Sequence, residues 1–230
     1  MKTTAKTPLA LDAEALEHAA RHLRRSDPRL ARVIREVGPC QMLRTTDPYR
    51  FLIRSILFQQ ISGHAGRAIE ARLKAHFGGR LPRPERLRAT RATTLRGLGL
   101  SRQKILAVHS IAETAAAGEL RAARFRSRDD DAVIADVTRI HGVGEWTAHM
   151  LLLFALRRPD VLPVGDYGIR KGLQRLDDLA DLPSAADLTA RAEAWRPWRS
   201  VASWYLWRLL DQPVPATDGA VAVASRSRRR

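Results

Sequence analysis

The stretch VTRIHGVGEWTAHMLLLFAL, residues 137–156, decides the fold. It reads as a helix ending near Ile140, a four-residue HGVG turn, and a second helix that starts near Glu145 and runs through LLLFAL. Gly142 and Gly144 remove side chains where backbone N–H groups must approach something closely, and the second helix presents its positive dipole end at the same place. A phosphate oxygen fits such a turn, gripped by the backbone of Gly142, Val143 and Gly144. An ordinary helix–helix corner, in which glycine closes one helix in a left-handed conformation and nothing binds, fits the same residues. LLLFAL is apolar on every side, so the second helix reads as a buried central strut and not as an exposed recognition helix. A backbone phosphate carries no base identity, so this grip positions a protein on nucleic acid without reading sequence.

Downstream of the strut come Arg157-Arg158-Pro159-Asp160, a short extended VLPV segment, and Gly165-Asp166-Tyr167 opening another helix. Asp166 falls at the N-cap, where a carboxylate accepts backbone N–H bonds and faces the positive end of the helix dipole. One reading is a plain cap, worth about 1 kcal/mol to its helix. The other is chemical: an anion in a cleft stabilises positive charge developing on a sugar, or activates water against it. The short loop from the hairpin favours the second, because it places the phosphate grip and the carboxylate on one rigid frame.

Outward from this centre the apolar periodicity is almost wholly helical. It predicts helices near 12–25, 28–37, 48–61, 64–77, 84–90, 91–96, 102–117, 131–140, 145–157, 166–176, 184–194 and 198–211. Strand alternation is nearly absent, so the chain is expected to be all-α. The expected organisation is a flexible N-terminus over 1–10, one helical domain over 11–211 and a flexible basic tail over 212–230, with the hairpin at 131–157 and the Asp166 loop at 159–168. No long linker divides the domain, which fits two helical lobes sharing one cleft.

Forty Lys and Arg against 24 Asp and Glu give the 230 residues a formal charge of +16. Removing the four arginines of the last five residues leaves +12, so the charge belongs to the body and points to a polyanionic partner. Some of those arginines also serve as solvated helix faces. A single cysteine, Cys40, excludes an internal disulfide and a four-cysteine cluster. The chain contains no GxxxxGK loop and no HExxH, and His109, His141 and His149 lack metal-ligand spacing, which leaves them as surface or phosphate contacts. No apolar run is long enough to span a bilayer and no signal-peptide pattern opens the chain, so a cytoplasmic monomer with no membrane contact is expected.

These segments together resemble the helix-hairpin-helix DNA glycosylase superfamily, in its alkylation-repair branch of 3-methyladenine DNA glycosylase II type. The likeness covers about residues 28–211. Besides HGVGEWTA and Asp166 it is carried by DPYRFLIRSILFQQIS at 47–62, LRGLGLSRQKILAVHSIA at 95–112 and AWRPWRSVASWYLW at 194–207. The resemblance implies two lobes flanking a DNA-binding cleft and a monofunctional glycosylase of base excision repair. Such an enzyme acts on damaged double-stranded DNA at the nucleoid, flips out alkylated purines of the 3-methyladenine or 7-methylguanine type, and hydrolyses their N-glycosidic bond. It implies Asp166 as the catalytic carboxylate. It also implies that no cofactor is required, with a sodium or potassium ion on the main-chain carbonyls of Thr138, Ile140 and Val143. Trp146 occupies the position where bifunctional members carry a Schiff-base lysine, which argues against lyase activity.

By the same resemblance, Trp146 and Trp207 form the base pocket, stacking on an electron-poor purine. Trp195, Trp198 and Trp204 read as core. Gln60 corresponds to the wedge that enters the duplex where the base has left, with Gln59 competing for that role. Arg102 and Lys104 read as phosphate contacts or as solvated charges. Larger members carry an N-terminal sheet domain, for which nothing before residue 28 has the alternation. Two other readings stay open on the residues alone: a non-catalytic hairpin protein that only holds DNA, and a bifunctional glycosylase/lyase for oxidised bases.

Overall fold

The computed structural model describes residues 11–42 and 47–211; the termini expected to be flexible, 1–10 and 212–230, lie outside the described residues. Two helices open the chain, α1 (Ala13–Ser26) and α2 (Pro28–Val37). Asp27 separates them and caps α2, its Oδ1 accepting the N–H groups of Arg29 and Leu30, while Pro28 sits where a missing N–H costs nothing. The middle of the chain supplies α3 (Pro48–Phe58), α4 (Gly63–His76), α5 (Pro84–Arg88), α6 (Ala92–Gly97), α7 (Arg102–Ala116) and α8 (Ala122–Phe125). The hairpin follows as α9 (Asp130–Val137) and α10 (Glu145–Met150), and the chain closes with α11 (Tyr167–Asp177), α12 (Ala185–Ala192) and α13 (Arg199–Asp211). No strand occurs among the described residues.

The helices divide into two lobes. In one, α3 packs on α4 and α7, and α5 and α6 pack on α7; in the other, α1, α2, α11 and α13 pack on one another with α12 against α11. The chain thus leaves the terminal lobe after α2, builds the central lobe, and returns along the strut. Leu151, Leu152 and Leu153 of the strut are 0% exposed, as the apolar sequence requires. The helix is not α-helical to residue 157, however. It widens after Met150 into a π turn over Leu151–Ala155, with the Leu156 N–H donating to the Leu151 carbonyl at 2.9 Å. The short helix α8, which seats the buried Phe125, was absent from the periodicity because four residues carry no repeat.

The terminal lobe is locked by a second use of Asp27, which is 2% exposed. Its Oδ2 accepts from the Trp195 indole N–H at 2.7 Å and from Arg191 at 2.6 Å, and Arg191 reaches on to Asp177 at 2.7 Å. Burial alone would raise the Asp27 carboxyl, but the hydrogen bonds from Trp195, Leu30 and Arg191 outweigh it and hold the group below the usual carboxylate range. A carboxyl lowered on folding stabilises the fold fully above its unfolded value of about 3.9, and that stabilisation is lost as pH falls through the folded value. Asp27→Asn is therefore expected to lower stability by about 3 kcal/mol at pH 7. The gap to wild type should shrink below pH 4, which urea unfolding at a series of pH values measures.

Candidate active site

The hairpin turn is shaped by close approach. Gly142 has φ +83°, and a Cβ there would lie 2.6 Å from the Cβ of Ala107 on α7. Gly144 is different: it is extended, a Cβ would meet nothing, and it begins α10 with no side-chain cap. The N–H groups of Gly142 and Gly144 donate to no protein acceptor among the described residues, and the first N–H groups of α10 point the same way. Val143 departs from expectation. Its N–H donates to the Ile140 carbonyl at 3.0 Å and its side chain is buried, so it closes the turn and does not offer its N–H to an anion. Two contacts hold the turn that the sequence did not reveal. Ser110 Oγ accepts the His141 N–H at 3.1 Å, and the Gln59 amide donates to the Gly142 carbonyl at 3.3 Å and to Thr147 Oγ1 at 3.4 Å.

Gln59 and Gln60 are thereby separated. Gln59 turns inward to the hairpin, whereas Gln60, with φ +56°, stands exposed in the turn between α3 and α4. Arg102 is exposed at the start of α7 and makes no ion pair among the described residues. Lys104 does not share that freedom: its ammonium donates to the Leu57 carbonyl at 2.7 Å, closing the end of α3, and burial pulls it below the usual lysine value. His109 is also turned inward, with Nε2 3.0 Å from the Thr90 carbonyl, and His149 is half-buried; only His141 of the three is exposed. Among the described residues no cluster of His, Cys, Asp or Glu could hold a metal.

Asp166 lies where the strut hands the chain to the terminal lobe. It caps α11, its Oδ1 accepting the Ile169 N–H at 2.8 Å. The same oxygen accepts the Trp207 indole N–H at 3.0 Å, and Oδ2 accepts the Trp146 indole N–H at 2.6 Å. The carboxylate is 8% exposed, while Trp146 is 50% exposed, so one indole closes over the anion and still shows a face to solvent. Trp207 stacks on Phe154 with ring centroids 5.9 Å apart. Gly168 makes room for this arrangement, since a Cβ there would come within 3.1 Å of both Asp166 Oδ1 and the Trp207 ring. Trp195 and Trp198 are core, as expected, and Trp204 is half-buried against Tyr205. The loop before Asp166 is pinned to α13: Ser200 Oγ donates to the Arg158 carbonyl at 2.6 Å and accepts the Val161 N–H at 2.9 Å, and Arg199 grips Asp160 at 2.8 Å.

A hairpin with open N–H groups, joined by a buried strut to a carboxylate under two indoles, defines a helix-hairpin-helix base-excision site. The chain belongs to the HhH-GPD superfamily of base excision DNA repair proteins, whose model matches residues 53–198. It is 34% identical over 199 residues, 84% of this chain and 87% of the relative, to DNA-3-methyladenine glycosylase 1 of Schizosaccharomyces pombe. Among solved structures it is similar to the 3-methyladenine DNA glycosylase of that yeast in complex with abasic DNA, with TM-score 0.75 and 34% identity over 83% of this chain and 95% of that one. It is also similar to a DNA-3-methyladenine glycosidase of Bacillus halodurans, with TM-score 0.76 and 33% identity over 83% and 88% of the two chains.

The two hairpin glycines should respond differently to a methyl group. Gly142→Ala adds a left-handed backbone penalty to a clash with Ala107 and is expected to cost about 2–4 kcal/mol. Gly144→Ala, in open space with an extended backbone, should stay within about 0.5 kcal/mol of wild type. Thermal unfolding of the two variants side by side makes the comparison.

Proposed function

We propose that the protein is a monofunctional DNA glycosylase that hydrolyses the N-glycosidic bond of alkylated purines in duplex DNA. One observation carries the reading. Asp166 is a buried carboxylate held only by N–H dipoles, with no cationic partner among the described residues, whereas the other buried aspartate, Asp27, is paired with Arg191 at 2.6 Å. An anion left without a counter-ion in a water-poor recess is aimed at positive charge that arrives only during reaction. As the C1′–N bond breaks, its electron pair leaves with the base and positive charge builds on the deoxyribose beside Asp166. A water oxygen then bonds C1′, and its proton passes to the carboxylate or to solvent.

The remaining residues take supporting roles. The open N–H groups of Gly142, Gly144 and the first turn of α10 hold a phosphate. Gln60 is the wedge, being the exposed member of its pair. Trp146 and Trp207 receive the flipped base, and an alkylated purine carrying positive charge suits their π faces. Arg102 adds a phosphate contact. A sodium or potassium ion beside the phosphate would rest on the carbonyls of Thr138, Ile140 and Val143; those of Thr138 and Val143 accept no hydrogen bond among the described residues, and Ile140's accepts one. The site of action is the nucleoid-associated cytoplasm. No helix among the described residues is long and apolar enough to cross a membrane.

Asp166→Asn should preserve the cap on α11 but place an amide N–H₂ against an indole donor and remove the charge. Single-turnover release of 3-methyladenine is expected to fall by at least about 10²–10³ with the fold intact by circular dichroism. Wild-type excision rates in that variant would reduce Asp166 to a helix cap. With Trp146 and no lysine at the base recess, borohydride should trap no covalent protein–DNA adduct, and the abasic product should stay uncut until treated with alkali; a trapped band on a denaturing gel would assign the chain to the bifunctional group.

A further inference from the structure

A cavity of about 790 Å³, whose lining does not include Asp166, opens between α1, the end of α2 and the segment Gly38–Met42, backed by Tyr205 and Arg157. Arg157 follows the strut that Gly144 begins, so the strut stands between the cavity and the hairpin turn. The floor is apolar, with Leu16, Ala20, Ile34 and Met42 among its lining. Arg21, Arg24, Arg35 and Arg157 surround it, against one acid, Glu17. None of the four guanidinium groups has an ion-pair partner among the described residues. Arg157 is the telling one. It is half-buried and holds a left-handed backbone at φ +57°, its carbonyl tied to the Leu11 N–H at 2.9 Å. Among the other buried or half-buried arginines, Arg128, Arg158, Arg191 and Arg199 are matched by carboxylates and Arg170 by the Pro183 carbonyl. A strained residue that carries an uncompensated, partly desolvated cation into a cavity points to an anion that completes it.

We propose that this cavity is a docking site for an acidic peptide segment of a partner protein, one in which aspartates or glutamates flank one or two apolar side chains. The apolar floor takes the anchors and the arginine rim takes the carboxylates, the arrangement that places binding energy in buried anchors and specificity in charge. The chain's own ends do not suit the site: residues 1–10 carry Lys2 and Lys6 with no acid, and residues 212–230 carry four arginines against Asp218. Duplex DNA presents a stiff row of phosphates that cannot fill an apolar floor. A nucleotide needs polar groups to read its base, and Gln41 is the one side-chain amide in the lining. Cys40 adds no chemistry, since burial pushes its thiol up to about 12.

The test uses the full chain and a fluorescein-labelled dodecapeptide in which Asp and Glu alternate with Leu and Phe, followed by fluorescence anisotropy. A control peptide replaces Asp and Glu with Asn and Gln. Saturable binding at least tenfold tighter than the control is expected. The double variant Arg21→Glu/Arg35→Glu, and separately Arg24→Glu, should each lose at least tenfold in peptide affinity while binding and excising lesion-bearing duplex as wild type does. All three positions are exposed, and circular dichroism checks each variant's fold. Equal binding of the two peptides, no saturation, or unchanged affinity in the variants would overturn the proposal. Loss of duplex affinity with a shallower salt dependence in the variants would also overturn it, by assigning the arginines to DNA. The peptide measurement is independent of the excision assay, so it stands or falls apart from the glycosylase reading.

Discussion

One buried carboxylate organises this protein. Asp166 gathers an indole N–H from α10, an indole N–H from α13 and a backbone N–H from α11, so two lobes meet on a single pair of oxygens. The Trp146 and Ile169 bonds, at 2.6 and 2.8 Å, are of charge-assisted length, and all three aim a positive dipole at the anion without neutralising it. A salt bridge would hold the lobes equally well. On the proposed reading it would also cancel the field that a developing sugar cation meets, and Asp27 shows what that alternative looks like: it too caps a helix and accepts from an indole, that of Trp195, but with Arg191 added. The structural aspartate is compensated and the candidate catalytic one is not.

Rigidity around that carboxylate comes from two sets of ties. The loop from Arg158 to Val161 is sewn to the start of α13 by Ser200 and by the Asp160–Arg199 pair, with the buried Arg158 guanidinium filling the Phe125 and Arg128 carbonyls at 2.7 Å. The hairpin is seated on the central lobe by Ala107, Ser110 and Gln59. Between them runs a strut whose three leucines are fully buried. On the proposed reading a phosphate at one end and a sugar carbon at the other keep a fixed separation, and a misplacement of about 1 Å is enough to slow such chemistry about 10²-fold.

Much of this was legible along the chain, and most of the residues that were not have a common character. The all-helical class, the hairpin, the strut and the capping role of Asp166 follow from periodicity and from glycine and aspartate at set positions, all local features. Lys104 and His109 meet partners that only the fold brings near, a carbonyl 47 residues away and one 19 residues away, whereas the Val143 N–H is taken locally by the Ile140 carbonyl in the tight turn. Gln59 and Gln60 are chemically identical neighbours. Only the end of α3 determines that one faces the hairpin and the other faces out.

A helix, its cap and a glycine turn are set by residues within a few positions of one another, so the all-helical class and the position of the central anion could be read along the chain. Only the packing of the helices points the N–H groups of Trp146 and Trp207, 61 positions apart, at the same carboxylate, with no cation joining them among the described residues. The same packing turns Arg157 to a cavity with no counter-ion among the described residues, while Arg158, the next residue, is matched by Asp130 and two carbonyls. Composition counts charges, but whether a charge is compensated depends on which side chains the packed helices bring within hydrogen-bonding distance, and that is a property of the folded lobes.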